Sequence, residues 1–172
     1  MSNNTENTNE VEVENYLDLI DEAIKIFQKS YPGAILFSVV GTPESGVAKT
    51  ANDLKNWIYK ASISATENKI AQMEFTNGKF GEPKEIGSWI GLMFKQVRKD
   101  KVGLDQAIDI LNKNGYTEGF SNFSLGTPVV EKPEQMFWFC VDLQTQGVST
   151  SSGKFYENLA QCSPDGMGSS EE

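Results

Sequence analysis

DEAIKIFQKSYPGAILFSVVGTP, residues 21–43, holds a helix, a stop and a strand in immediate succession. Leu19, Ile20, Ala23, Ile24 and Phe27 make an apolar stripe, with Asp18, Asp21, Glu22, Lys25 and Gln28 opposite, which predicts a helix from Val11 to Lys29. Tyr31-Pro32-Gly33 ends it, and AILFSVV (34–40) has the composition of a strand. The order returns in DQAIDILNKNGYTEGFSNFSLGTP, residues 105–128: Asp-x-Ala-Ile, a short helix, a polar stop, an apolar strand, Gly-Thr-Pro. Beyond these segments the pattern persists. Trp57, Tyr59, Ala61 and Ile63 correspond to Phe137, Phe139, Val141 and Leu143, and Asn-Gly-Lys-Phe at 77–80 to Ser-Gly-Lys-Phe at 152–155. Self-similarity of this kind predicts a degenerate internal duplication.

Working outward, LKNWIYKASIS (54–64) and KIAQMEF (69–75) alternate as half-buried strands, with Thr66-Glu67-Asn68 as the turn between them. Asn77-Gly78 is a hairpin signal. A helix is expected from Ser88 to Lys99, carrying Trp89, Ile90, Met93, Phe94 and Val97, and another from Leu104 to Asn112 stopped by Gly115. FSNFSL (120–125), QMFWFCVDL (135–143) and GVSTSS (147–152) read as strands. The expected fold class is α+β: two degenerate helix-plus-antiparallel-sheet repeats with helices packed on one face of the sheet. The boundaries follow: a disordered segment 1–10, a first repeat 11–84, a second repeat 85–156 with the linking helix, and a flexible tail 157–172.

VGTPESGVAKT (40–50) resembles a nucleotide-binding loop, but a phosphate cradle needs lysine directly after the last glycine, and here Val47 and Ala48 intervene. The second segment keeps Gly-Thr-Pro without the later glycine or Lys-Thr, so the shared element is read as a turn after a strand.

Composition narrows the chemistry. With 24 acidic and 15 basic residues the net charge is −9, which suits neither a nucleic-acid backbone nor an anionic membrane. Histidine is absent, which removes the commonest general base and metal ligand. No G-x-S-x-G elbow or D-x-D-x-D-G loop occurs. Asp105 and Asp109 stand at i and i+4 without a second carboxylate cluster near them in sequence. No enzyme activity, cofactor or metal is expected. The two cysteines, Cys140 and Cys162, allow one disulfide but are read as reduced thiols of a cytoplasmic protein. The N-terminal stretch lacks the charged end and apolar core of a signal peptide, and no apolar run reaches membrane-spanning length.

Met136-Phe137-Trp138-Phe139-Cys140 is apolar on both faces of its strand. If Phe137 and Phe139 face the helices, Met136 and Trp138 face away, where the first segment offers Ile58 and Lys60. Covering by a loop or by the other repeat is one meaning, a contact surface the other. Residues expected to touch a partner are Trp138, as anchor, with Met136, Trp57, Ile58 and Lys60.

Residues 17–80 and 104–155, by order of elements, aromatic strand and Gly-x-hydrophobic hairpin, resemble the PepSY-type domains and the tandem-repeat β-lactamase inhibitor proteins. The resemblance implies non-catalytic protein binding through the exposed face of a sheet. The chain departs from the pattern in lacking a secretion signal and paired cysteines within each repeat. The expected function is a non-enzymatic adaptor, inhibitor or chaperone-like module whose acidity suits a basic protein partner, with self-association through an open sheet edge as a further expectation. The alternative is a carrier or sensor of a small apolar ligand.

Overall fold

A computed structural model describes residues 16–64, 68–88, 95–127 and 134–162. In chain order they form α1 (Tyr16–Ser30), β1 (Ile35–Pro43), a 3-10 turn (Ala51–Asp53), β2 (Leu54–Ser64), β3 (Lys69–Thr76), β4 (Lys79–Phe80), β5 (Lys84–Ser88), α2 (Leu104–Lys113), β6 (Asn122–Gly126), β7 (Met136–Val141), β8 (Gln144–Ser149) and β9 (Phe155–Tyr156). The nine strands make one antiparallel sheet in the order β4-β3-β2-β1-β6-β7-β8-β9, with β5 beside β4 on β3.

This architecture corrects the expected fold class. The chain forms a single nine-stranded antiparallel sheet with two helices, in place of two helix-plus-sheet repeats with helices packed on one face. β1 and β6 pair directly, Ser38 with Gly126 through Gly41 with Phe123, so the strands merge into one continuous sheet. Among the described residues the nine strands hold 54 residues and the two α-helices 25, which makes the sheet the frame and the two helices attachments to it. The two sides of the central pair are also unequal: β2 has 11 residues where β7 has 6. The physical reason is that an unpaired β1 edge would leave a row of backbone donors and acceptors unsatisfied, and β6 supplies their partners. The linking helix does not begin at Ser88, which closes strand β5, and residues 95–103 form no helix. Positions 89–94 of that expectation, and 65–67 of the expected turn, lie outside the described residues.

The strands obey their alternation. Trp57, Tyr59 and Ala61 of β2 stand opposite Phe75, Met73 and Ala71 of β3, and all six are buried. Phe123 of β6 sits at the centre, edge-on to Trp57 at 5.8 Å and tilted against Phe137 at 5.7 Å and Phe139 at 5.9 Å. Leu19, Ile20, Ala23 and Phe27 of α1 and Leu104, Ala107, Ile108 and Leu111 of α2 join the same apolar cluster. Each leucine, isoleucine or phenylalanine among them contributes about 1.5–3 kcal/mol on leaving water, against the cost of ordering the chain.

Several boundaries move for identifiable reasons. β1 runs on through Gly41-Thr42-Pro43 because Gly41 leaves room for two rings: a Cβ there would lie 3.2 Å from both Phe123 and Trp57. Gly-Thr-Pro is therefore the end of the strand itself. The Asn77-Gly78 hairpin forms as expected, with φ of 53° and 78°. The aromatic strand stops at Val141, because Asp142 and Leu143 turn with φ of 52° and 69°. Leu143, expected to face inward, is 55% exposed at that turn.

Candidate functional site

The face of the sheet away from the helices is built by the alternate residues of the same strands. Register places Glu74, Ile58, Val40, Ser124, Trp138 and Gly147 in one row across β3, β2, β1, β6, β7 and β8. The adjoining row reads Gln72, Lys60, Ser38, Gly126, Met136 and Ser149. Small residues flank Trp138 in both rows, so its indole has room to lie across the sheet. The Cβ that Gly126 lacks would sit 3.5 Å from Trp138 Cζ3, and the Cβ that Gly147 lacks 3.5 Å from Trp138 Cδ1. The ring thus spans two glycines on neighbouring strands. Val40, Ile58, Lys60 and Trp138 are half-buried. Burial pushes the Lys60 ammonium below the usual lysine range.

Of the five residues expected to touch a partner, Trp138, Ile58 and Lys60 share this open face. Met136 shares it too but is buried, 7% exposed. Trp57 is on the other face, 2% exposed and edge-on to Phe123, so it belongs to the core and leaves the candidate surface.

What covers part of the face was not foreseen. The thiols expected to be free are joined in a Cys140–Cys162 disulfide, closing a sequence separation of 22 residues. Cys140 is on the same face as Trp138, two positions along β7. The segment read as a tail from residue 157 is pinned along β8 as far as Cys162. Leu159 N–H donates to the Thr145 carbonyl at 2.8 Å, Thr145 N–H to the Ala160 carbonyl at 2.7 Å, and Cys162 N–H to the Leu143 carbonyl at 3.0 Å. Asn158 and Gln146 exchange bonds, backbone N–H to Oε1 at 2.8 Å and Nε2 to Oδ1 at 2.7 Å. Two residues, Leu159 and Ala160, thereby oppose the single Thr145, a bulge that re-aims Leu159 over Gly147. The Leu159 Cδ1 lies 2.7 Å from the position a Gly147 Cβ would take, and Met136 Sδ lies 3.4 Å from the same point. An even cysteine count was the only sequence signal of this clasp.

A polar knot closes the neighbouring end of β8. Ser149, fully buried, donates to Glu134 Oε1 at 2.7 Å, and Tyr156 Oη donates to Glu134 Oε2 at 2.8 Å. These bonds, Ser149 first, hold the Glu134 carboxyl below its ordinary range. The Ser149 oxygen in turn accepts from the Ser151 and Ser152 amides at 3.2 Å each, so the hydroxyl is committed to shaping the turn.

The 40–50 loop has an equally committed backbone. Asp53 accepts from the Lys49 and Thr50 amides at 2.9 and 3.1 Å, the donors an anion would need. Ala48 exchanges bonds with Phe120 at 2.8 and 2.9 Å, docking the loop on the segment before β6. An open depression of about 340 Å³ beside it carries Glu44 and Asp53 together with Lys49 and Lys55. The Lys49 and Thr50 amides, with a smaller attraction from Lys55, hold the Asp53 carboxyl below its usual range.

Among the described residues no helix is long and apolar enough to cross a membrane, and no group of three or more metal-ligating side chains converges. No protein-family model matches the chain, and no curated protein and no solved structure matches it either.

Proposed function

We propose that the chain is a non-enzymatic binding protein that engages a protein partner through the sheet face opposite the helices. The observation that carries this reading is Trp138: a half-buried indole next to two glycines of the flanking strands, on the face that also carries Val40, Ile58 and Lys60 of the central strands. A half-buried aromatic ring flanked by small residues, on a face that also carries Val40 and Ile58, is the kind of surface on which a few residues supply most of the binding energy. The resemblance to PepSY-type domains and tandem-repeat inhibitor proteins implies the same use of a sheet. A net charge of −9 favours a basic partner and makes its association salt-sensitive. The Cys140–Cys162 disulfide supports work in an oxidising compartment, against the cytoplasmic expectation.

The test is capture from the native cell with the wild-type chain and with Trp138→Ala. Loss of at least about tenfold in the captured partner, with far-ultraviolet circular dichroism unchanged, is the expected result. Retention of every specific partner by the variant would refute the reading.

One observation favours a second reading, carriage of a small apolar ligand between sheet and helices. Tyr59 Oη is buried without a hydrogen-bond partner among the described residues, a donor that a ligand would satisfy.

A further inference from the structure

The open face carries, at its β8 end, an occupant that belongs to the chain itself. Residues 157–162 behave there as a bound peptide. They add to the edge of β8 through main-chain bonds at Thr145 and Leu143, and they place one leucine in a seat of complementary shape. The seat has a floor, Gly147, where any side chain would collide with Leu159, and walls of Met136 Sδ and Trp138 Cδ1. Main-chain pairing for affinity and a pocket for one side chain are the two parts of strand-addition recognition. Leu159 remains 42% exposed, so the seat covers only part of its side chain. The segment is held at its near end by β9 and at its far end by the Cys140–Cys162 bond. Tyr116 Oη also donates to Glu157, fixing where the segment leaves β9.

We propose that residues 157–162 are a tethered stand-in for a partner strand, and that the Cys140–Cys162 disulfide is the clasp of the groove they occupy. When a dithiol reductant opens the clasp, its two thiols supply two hydrogens to the Cys140 and Cys162 sulfurs and close into their own disulfide, so electrons and protons balance. The freed segment uncovers the Leu143 and Thr145 backbone groups and the Gly147 seat. The groove then takes an extended partner segment bearing a leucine-sized apolar residue at the position of Leu159. This rests on the protein-binding reading above and adds to it the edge, the side chain recognised and the gate.

The experiment uses the full chain in oxidised form, reduced with dithiothreitol, and as Cys162→Ser. Amide exchange of Thr145 is followed by NMR, and a labelled synthetic peptide of residues 157–162 carrying Cys162→Ser is titrated by fluorescence anisotropy. Reduction is expected to speed Thr145 exchange by about tenfold or more, and the peptide to bind the reduced chain and Cys162→Ser at least about tenfold more tightly than the oxidised chain. Gly147→Val in the reduced chain should abolish that binding with circular dichroism unchanged. Equal protection of Thr145 in both redox states would overturn the gate, and an exposed Thr145 without peptide binding would overturn the groove. Collapse of the near-ultraviolet signal on reduction would make the bond a folding brace and overturn the proposal equally. None of these results touches the Trp138→Ala capture, which is performed on the oxidised chain and reports on the wider face alone.

Discussion

Single side chains mark where this molecule departs from a well-satisfied core. Tyr59 lies between Val39 and Met73 on the sheet, edge-on to Phe80 at 5.4 Å, and its hydroxyl finds no acceptor among the described residues. Burial drives its proton affinity well above the ordinary tyrosine range, so the group stays neutral and simply lacks a bond. Removing an unsatisfied buried hydroxyl recovers its desolvation cost. Tyr59→Phe is therefore expected to leave stability unchanged or raise it by about 1 kcal/mol in urea denaturation. A loss above that size would mean the hydroxyl has a partner. The same variant separates the two functional readings, since an apolar ligand held by Oη would raise the melting temperature of the wild type and not of Tyr59→Phe.

Glu134 is the converse, a carboxylate with more partners than it needs. Its pKa is depressed in the fold by Ser149 and Tyr156, so the folded state binds a proton less readily than the unfolded chain. The stabilisation is complete above the ordinary glutamate range and is lost as pH falls through the lower folded value. Glu134→Gln should flatten that part of the acid limb of a melting-temperature profile while lowering stability at neutral pH. An acid limb identical in the two proteins would show that the carboxylate does not report the Ser149 and Tyr156 bonds.

At the level of turns and strands, the β7–β8 hairpin is made by an unusual pair. Asp142 and Leu143 both take left-handed conformations, and Leu143 presents an exposed side chain while doing so. A left-handed leucine costs about 1–2 kcal/mol, and Asp-Gly is the pair such two-residue turns prefer. Leu143→Gly keeps the carbonyl that Cys162 uses and is expected to raise stability by about 0.5–1 kcal/mol, read from the shift of a urea midpoint. An unchanged or lowered midpoint would contradict the turn geometry. The hairpin also ends the aromatic strand at Val141, two residues before its apolar row runs out. Phe137, Phe139, Val141 and Leu143 keep one face apolar through Leu143, and nothing local in Asp-Leu announces a turn, whereas Asn77-Gly78 is legible from its residues alone. Likewise Gly41 ends β1 in a sequence reading and sustains it in the fold, because the rings that need its missing side chain come from β2 and β6.

For the molecule as a unit, the candidate surface was partly legible and partly not. Trp138, Ile58 and Lys60 were placed together by counting alternate positions, and they do share a face. Trp57 shares the parity of Tyr59 and lies in the core, while Met136 lies on the open face but is buried. The occupant of the β8 edge, the disulfide and the Glu134 knot join residues separated by 12 to 22 positions through contacts that carry no pattern in the chain. Periodicity along the sequence determined the two amphipathic helices, the alternation of β2 and β3 and the inward aromatic rows, because those depend on side chains three, four or two residues apart. Tertiary structure alone determined that β1 and β6 would be the strands to pair and that Leu159 would rest over Gly147. Those outcomes depend on which distant backbone edges find partners and which side chains meet a glycine, and both are settled only when the chain has closed on itself.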